Sequence, residues 1–251
     1  MSEDVPAMGG ILYVVSGNAY HAEALASADS SLRFNRVPHM IFSDCDRRSS
    51  ATKPGVLDIG RHESFGDPFA DKIRNLANSP FENTIFLDSD TYVTSDLTHL
   101  FAILERFDMA AAFAPGYRSR DDPEVPSSFY EFNTGVIVWR DTNATRDFLD
   151  DWMHTYLQLT RERPFPTIDF KHGGYEQPAF RRCAWRHDLK ICVLGPEYNY
   201  RPRRPGSAVD PIRVIHARYP DYGRVEAILN GQCGPRSFQA IPGGSQEPIV
   251  G

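Results

Sequence analysis

The stretch Thr84-Ile85-Phe86-Leu87-Asp88-Ser89-Asp90-Thr91-Tyr92-Val93 decides how this chain is read. A short, mostly apolar run, the pattern of a buried strand, leads straight into two aspartates separated by one residue. In extended backbone, positions i and i+2 point to the same side, so Asp88 and Asp90 aim their carboxylates at one spot just past the strand's end. In open α/β sheets that is where ligands bind. Two hard oxygen donors backed by apolar residues suit a divalent cation that holds phosphates. An Asp-x-Asp triplet alone more often caps a strand or sits in a solvated turn; the strand before it is what raises the functional reading.

Working outward, residues 11–15 form a continuous apolar run that opens into Ser16-Gly17-Asn18, a buried strand followed by a loop. Ala22, Leu25, Ala28 and Leu32 keep helical spacing, and residues 40–42 predict a second short strand. Asp67-Pro68 reads as an N-cap followed by proline at the first helical position, with Phe69, Ile73 and Leu76 as the buried stripe. After the aspartate pair, Leu97, Leu100, Phe101 and Leu104 predict a helix and residues 109–113 a strand. Residues 115–130 are a loop, 134–139 a strand, and an amphipathic helix runs on from Phe148. A second loop covers 161–174, a helix starts near Glu176, and 191–194 and 212–215 are further strands. This alternation predicts a three-layer α/β/α sandwich around a mostly parallel mixed sheet. A single domain over 1–230 is expected, followed by a Gly- and Pro-rich surface tail over 231–251.

Composition sets bounds. The 251 residues are 41% hydrophobic and 24% charged, ordinary for a globular domain. The formal net charge of −6 argues against nucleic acid as the main partner. No apolar run reaches membrane-spanning length, and the acidic start of the chain lacks the features of a signal peptide. Cys45, Cys183, Cys192 and Cys233 show no metal-like spacing and read as reduced thiols, so a cytoplasmic location is expected. Asn143-Ala144-Thr145 fits a glycosylation site by chance. The clusters Arg181, Arg182, Arg186 and Arg201, Arg203, Arg204 read as solvated surface charge, with an anionic acceptor or a membrane surface as the functional alternative.

Two chemistries share the local shape of the aspartate pair. In a nucleotide-sugar transferase the pair holds a metal on a diphosphate. In a haloacid-dehalogenase-type phosphatase Asp88 would be the nucleophile of an Asp-x-Asp-x-Thr motif. Here Thr91 comes one residue too early for that motif, and the pair follows a full nucleotide-sized βαβ region instead of opening the domain. A non-catalytic nucleotide-sugar binder is the third reading.

Several further segments, in order, tip the balance. They are Ser16-Gly17-Asn18-Ala19-Tyr20, Lys72, Asp88-Ser89-Asp90, Phe132-Asn133-Thr134-Gly135-Val136, Gly173-Gly174-Tyr175-Glu176-Gln177, Tyr198-Asn199 and Val214-Ile215-His216. This ordered set resembles the retaining glycosyltransferases of the glycogenin and lipopolysaccharide-galactosyltransferase type (glycosyltransferase family 8-like), which have the GT-A fold. The resemblance covers about residues 11–216. It implies a hexosyltransferase that moves glucose or galactose from UDP to an unknown acceptor with retention, using Mn²⁺, with Mg²⁺ as the alternative. It implies metal ligation by Asp88, Asp90 and His216, and nucleotide contacts from Ser16, Asn18, Tyr20, Lys72 and Ser89. Asn133, Thr134, Glu176 and Gln177 would face the sugar, the last two also at the reacting carbon. An imidazole added to two carboxylates favours Mn²⁺ somewhat. Tyr20 has the flat face to stack on a uracil ring, Asn18 the amide to bond its edge, and Lys72 is a mobile point charge suited to phosphate. Two departures stand out. Glu176 replaces the usual Asp, and Ala217-Arg218-Tyr219-Pro220 follows the metal His where the family has Gly and then Lys-Pro-Trp; Arg218 is a candidate substitute for that lysine.

Overall fold

The structure is a computed structural model and describes residues 9–45, 56–116, 119–164 and 174–241. The chain alternates between strand and helix in the order β1 (Gly9–Val15), α1 (Asn18–Leu32), β2 (His39–Ser43), β3 (Val56–Arg61), α2 (Pro68–Leu76), β4 (Asn83–Leu87) and β5 (Thr91–Val93). A 3₁₀ helix, Thr98–Glu105, leads to β6 (Met109–Phe113), β7 (Phe132–Arg140), α3 (Asn143–Glu162), α4 (Glu176–Arg186) and β8 (Ile191–Leu194). The last part holds β9 (Gly206–Ala208), β10 (Val214–His216), α5 (Tyr222–Asn230) and β11 (Arg236–Phe238).

Seven strands form the main sheet in the order β3-β2-β1-β4-β7-β6-β8. All neighbours are parallel except that β7 runs antiparallel to both β4 and β6. Alternation along the strands sends side chains to two cores. Leu12, Val14, Phe86, Ile137 and Trp139 meet α2, α3 and α4 on one face. Ile11, Tyr13, Val15, Ile85, Leu87, Val136 and Val138 meet α1 and the 3₁₀ helix on the other. This is the expected mostly parallel mixed sheet in a three-layer sandwich. Strand order reverses between β1 and β4, so their carboxyl ends open a crevice, and the β1–α1 loop and Asp88-Ser89-Asp90 flank it.

Several local readings change. The segment expected as a helix around Leu97–Leu104 is wound as a 3₁₀ helix; Leu97 and Leu100, both fully buried, lie three residues apart, a spacing that suits either winding. β3 went unread because Asp58 and Gly60 interrupt its apolar pattern. The helix expected from Phe148 begins at Asn143, behind a capping box in which Thr142 accepts from the Thr145 N–H. Part of the segment read as a tail is built into the protein. β11 pairs antiparallel with β9, and Phe238 and Ile241 pack on a third small core of Tyr200, Ile212, Ile215, Val225 and Leu229. α5, which also joins that core, was not foreseen. The rest of that segment, 242–251, and most of the 161–174 loop lie outside the described residues.

Two of the three arginines of α4, Arg181 and Arg182, are not solvated. Arg181 is fully buried, and its guanidinium donates to the carbonyls of Phe129, Ser119 and Pro126 at 2.7 Å each and of Val125 at 3.4 Å. Arg182 is buried against Asp122 (2.7 Å) and Glu124 (2.7 Å), and Arg186 also pairs with Glu124. The group nails the 119–131 loop to the sheet's flank, which rules out the reading of surface charge for Arg181 and Arg182; Arg186 is exposed.

Candidate active site

The site grows from the end of β4. Asp88 leaves the strand with its N–H on the Gly135 carbonyl (2.8 Å), and after Ser89 the chain turns into the short strand β5. β10 pairs antiparallel with β5 and sets His216 opposite Thr91. That pairing brings a histidine from far along the sequence to the aspartates. Its Nε2 lies 3.2 Å from Asp90 Oδ1 and 3.6 Å from Asp88 Oδ2. Ligand atoms of all three residues fall within 4.8 Å of one another, and no other such cluster occurs among the described residues.

Positive charge surrounds the pair. Lys72, 6% exposed, reaches from α2 to Asp88 Oδ1 (2.8 Å) and donates to the Thr134 carbonyl (2.9 Å). It is therefore a fixed, buried charge beneath the crevice, unlike the mobile one expected. Arg218 contacts Asp90 Oδ2 (3.3 Å) and is held by Glu23 through a fork of 2.6 and 2.9 Å. Its guanidinium lies 5.6 Å from the centre of the Tyr20 ring, and Ser89 donates to the same Glu23 (2.5 Å). Burial alone would raise the Asp90 carboxyl; His216, Arg218 and Arg201 outweigh it and hold the group well below the usual carboxylate range.

The donor set fits a divalent cation. Asp88 Oδ1 is taken by Lys72 and Asp90 Oδ2 by Arg218, which leaves Asp88 Oδ2, Asp90 Oδ1 and His216 Nε2 turned towards one another. Two carboxylate oxygens and an imidazole make a mixed hard and borderline set of the kind Mn²⁺ accepts. His216 Nδ1 lies 2.7 Å from Asn199 Oδ1, the outer contact that orients a ligating imidazole.

The other expected residues divide into three groups. Thr134 and Glu176 join the site through Lys72: Thr134 Oγ1 lies 3.4 Å from Lys72 Nζ and donates to Glu176 Oε1 (3.3 Å). Glu176 opens α4, and Trp152 donates to its carbonyl (2.8 Å); Gln177 follows it and is buried. Asn133 is buried, and its Oδ1 accepts from the Gly135 N–H (2.9 Å) and Asn199 Nδ2 (2.9 Å), so this oxygen faces inward. Of the β1–α1 loop, Ser16 is turned to Asp71 (2.6 Å), whereas Asn18 is exposed and Tyr20 half-buried. Gly17, at φ 93°, makes that turn and donates to Asp44 (2.7 Å).

Sequence reasoning missed Glu23, Asp44 and the second use of Gly135. Glu23 had a faint signal, since it stands one helical turn after Tyr20 on the same face. A Cβ on Gly135 would come within 2.0 Å of His216 Cε1, so the imidazole occupies the space that a side chain would fill.

No protein-family model and no curated protein matches the sequence. Solved structures do match. The galactosyltransferase LgtC, in complex with donor and acceptor sugar analogs, superposes with a TM-score of 0.58 at 14% identity, over 88% of this chain and 95% of LgtC. An active-site variant of LgtC gives 0.56 at 13% identity with the same coverage. The glycosyltransferase GlyE of Streptococcus pneumoniae TIGR4 gives 0.52 at 16% identity over 76% of this chain; the chain spans 47% of GlyE. The fold is thus the GT-A fold of glycosyltransferases.

Proposed function

We propose that this protein is a metal-dependent glycosyltransferase that moves a hexose from a nucleoside diphosphate, UDP-glucose or UDP-galactose, to an acceptor with retention of configuration. One observation carries the reading: Asp88, Asp90 and His216 converge at the strand-order reversal of a GT-A sheet. A divalent cation held by these three residues supplies Lewis-acid stabilisation of the diphosphate leaving group.

The chain's own residues do the rest. Asn18 and Tyr20, on the first turn of α1, receive the uridine, with Ser16 and Ser89 on the two loops beside it. Lys72 pairs with Asp88 and holds it in place, and adds a buried positive charge beneath the departing diphosphate. Arg218 is the second cation and stands in for the lysine this chain lacks. Asn133, Thr134, Glu176 and Gln177 face the hexose. Glu176 and Gln177, at the N-terminus of α4, border the anomeric carbon, where a carboxylate stabilises the oxocarbenium character of the transition state. The 119–131 surface, braced by Arg181, is one wall available to the acceptor.

The test is turnover of donor without acceptor. Slow, Mn²⁺-dependent hydrolysis of a UDP-hexose that falls on the order of 10³-fold in Asp90→Ala supports the assignment, since several kcal/mol of leaving-group stabilisation is removed. Release of phosphate from simple phosphomonoesters, abolished by Asp88→Asn, would instead make this a phosphatase. Mn²⁺-dependent UDP-sugar affinity without turnover on any acceptor would make it a binding protein.

A further inference from the structure

The hydrogen bonds behind His216 have a forced direction. They begin at the backbone N–H of Gly135, which can only donate, so the Asn133 atom it meets at 2.9 Å is the amide oxygen. The same oxygen is 2.9 Å from Asn199, whose contacting atom must then be its amide nitrogen. The Asn199 oxygen is left to face His216 Nδ1 at 2.7 Å, and an amide oxygen only accepts. Nδ1 therefore carries a proton whatever the state of the rest of the ring. In the neutral ring Nε2 bears the lone pair, and it is Nε2 that faces Asp90 Oδ1 and Asp88 Oδ2.

We infer that Gly135, Asn133 and Asn199 form a relay that sets the tautomer of His216, with Asn199 as the positioning residue that makes Nε2 a ligand atom. This deepens the proposed function and rests on it only for the identity of the ion. The relay is built for fixity. His216 is buried, as are Asn133 and Asn199, so water does not compete for these bonds. Gly135 contributes three ways: its N–H starts the relay, its carbonyl holds the Asp88 N–H at 2.8 Å, and its missing side chain admits the imidazole. One backbone position thereby aligns two of the three ligands. A solvated neutral histidine side chain prefers its proton on the other nitrogen, Nε2, which would point an N–H at the ion site. Fixing this preference is what second partners of ligating histidines do, at a typical cost of 10–100-fold in metal affinity when they are lost.

The experiment reads the tautomer directly. In metal-free protein at mildly alkaline pH, long-range ¹H–¹⁵N NMR of the histidine rings, with His216 assigned by its loss in His216→Gln, should show the proton on Nδ1. Asn199→Leu, of similar size but without the acceptor, should lose that pattern and weaken Mn²⁺ binding, followed by electron paramagnetic resonance, by about 10–100-fold. Asn199→Asp keeps an acceptor for Nδ1 and should retain the pattern. A wild-type ring protonated on Nε2 alone, or an Asn199→Leu ring unchanged from wild type, overturns the relay. An Nδ1–H ring that needs Asn199, in a protein that binds no Mn²⁺, upholds the relay and defeats the metal-dependent function instead. The wild-type measurement decides even if Asn199→Leu fails to fold.

Discussion

The acidic centre and the arginine brace both bury formal charge, and they resolve it in opposite ways. Helix α4 touches both: its first residue, Glu176, belongs to the crevice, while Arg181 and Arg182 clamp the 119–131 loop. At Arg181 the guanidinium donates to acceptors, among them four backbone carbonyls drawn from one loop. A planar, always-charged fork is well suited to this, and the result is rigidity. At Asp88, Asp90 and His216 three potential ligand atoms face one another, and two cations, Lys72 and Arg218, hold the outer oxygens. A set of bonds from one donor to many acceptors marks structure; ligand atoms that converge on one spot mark a place for a cation.

Breaking the brace should have the largest effect on stability. Arg181→Met removes the fork. The Ser119 and Pro126 carbonyls keep backbone donors in Asp122 and Phe129. The Val125 and Phe129 carbonyls lose the guanidinium, at about 1–3 kcal/mol for each carbonyl left unsatisfied. With partial relaxation, a loss of about 3 kcal/mol is expected, or a fall in Tm of roughly 6–12 °C for a chain of this size. Scanning calorimetry measures it. Mn²⁺ affinity of the folded fraction should change little, and a comparable loss of affinity would show that the two regions are not separate.

The centre should respond to its ion. At a concentration of 100 times Kd, Mn²⁺ should stabilise the wild type by about 2.7 kcal/mol by mass action. Thermal shift reads this, and Asp90→Ala should abolish it while Arg181→Met keeps it. Next in size is Gly135→Ala. The added Cβ would overlap His216, so the ring or the strand must shift, with overpacking of about 1–3 kcal/mol. Denaturation curves with and without Mn²⁺ should show a loss larger in the presence of the ion if the displaced ring is the ligand proposed above. Equal losses would mean that the ring stays in place.

The smallest effect sharpens the contrast at a third buried charge-bearing group. His39 is fully buried and bridges the Val37 carbonyl (2.8 Å) and Ser31 (2.9 Å). Burial lowers its pKa from the ordinary 6.5, and the backbone bond offsets this only in part. Below pH 6.5 the unfolded chain takes up a proton that the folded ring resists. The stabilising contribution is thus complete above 6.5 and is lost as pH falls through the folded value. Denaturant midpoints measured downward from neutral pH should decline, and His39→Gln should make the decline shallower. An unaltered slope would place the proton uptake elsewhere.

The aspartate pair, the β1 strand and the Asp67-Pro68 helix start were legible because each depends on neighbours in sequence: apolar periodicity, a cap, a turn. The two faces of the sheet followed from alternation alone, as Leu12 and Val14 against Ile11 and Tyr13 show. The reversed direction of β7 was not legible, since a strand reads the same whichever way its partner runs. The buried arginines were misread because an Arg on a helix looks alike in water and beneath a loop; only the carbonyls of a distant segment distinguish the two. β11 and α5 escaped because their core is small and drawn from scattered residues.

By itself, the sequence determined the strand ending in Asp88 and Asp90, the layered α/β architecture, and which residue types stand ready for a cation and a diphosphate. Tertiary structure alone decided that β10 pairs with β5, that Lys72 is buried under Asp88, that Glu23 grips Arg218, and that Gly135 leaves room for His216. The physical reason is range. Periodicity and capping act within a few residues, whereas the direction of a hydrogen bond, the neutralisation of a buried charge and the exclusion of a Cβ depend on atoms that only folding brings within contact.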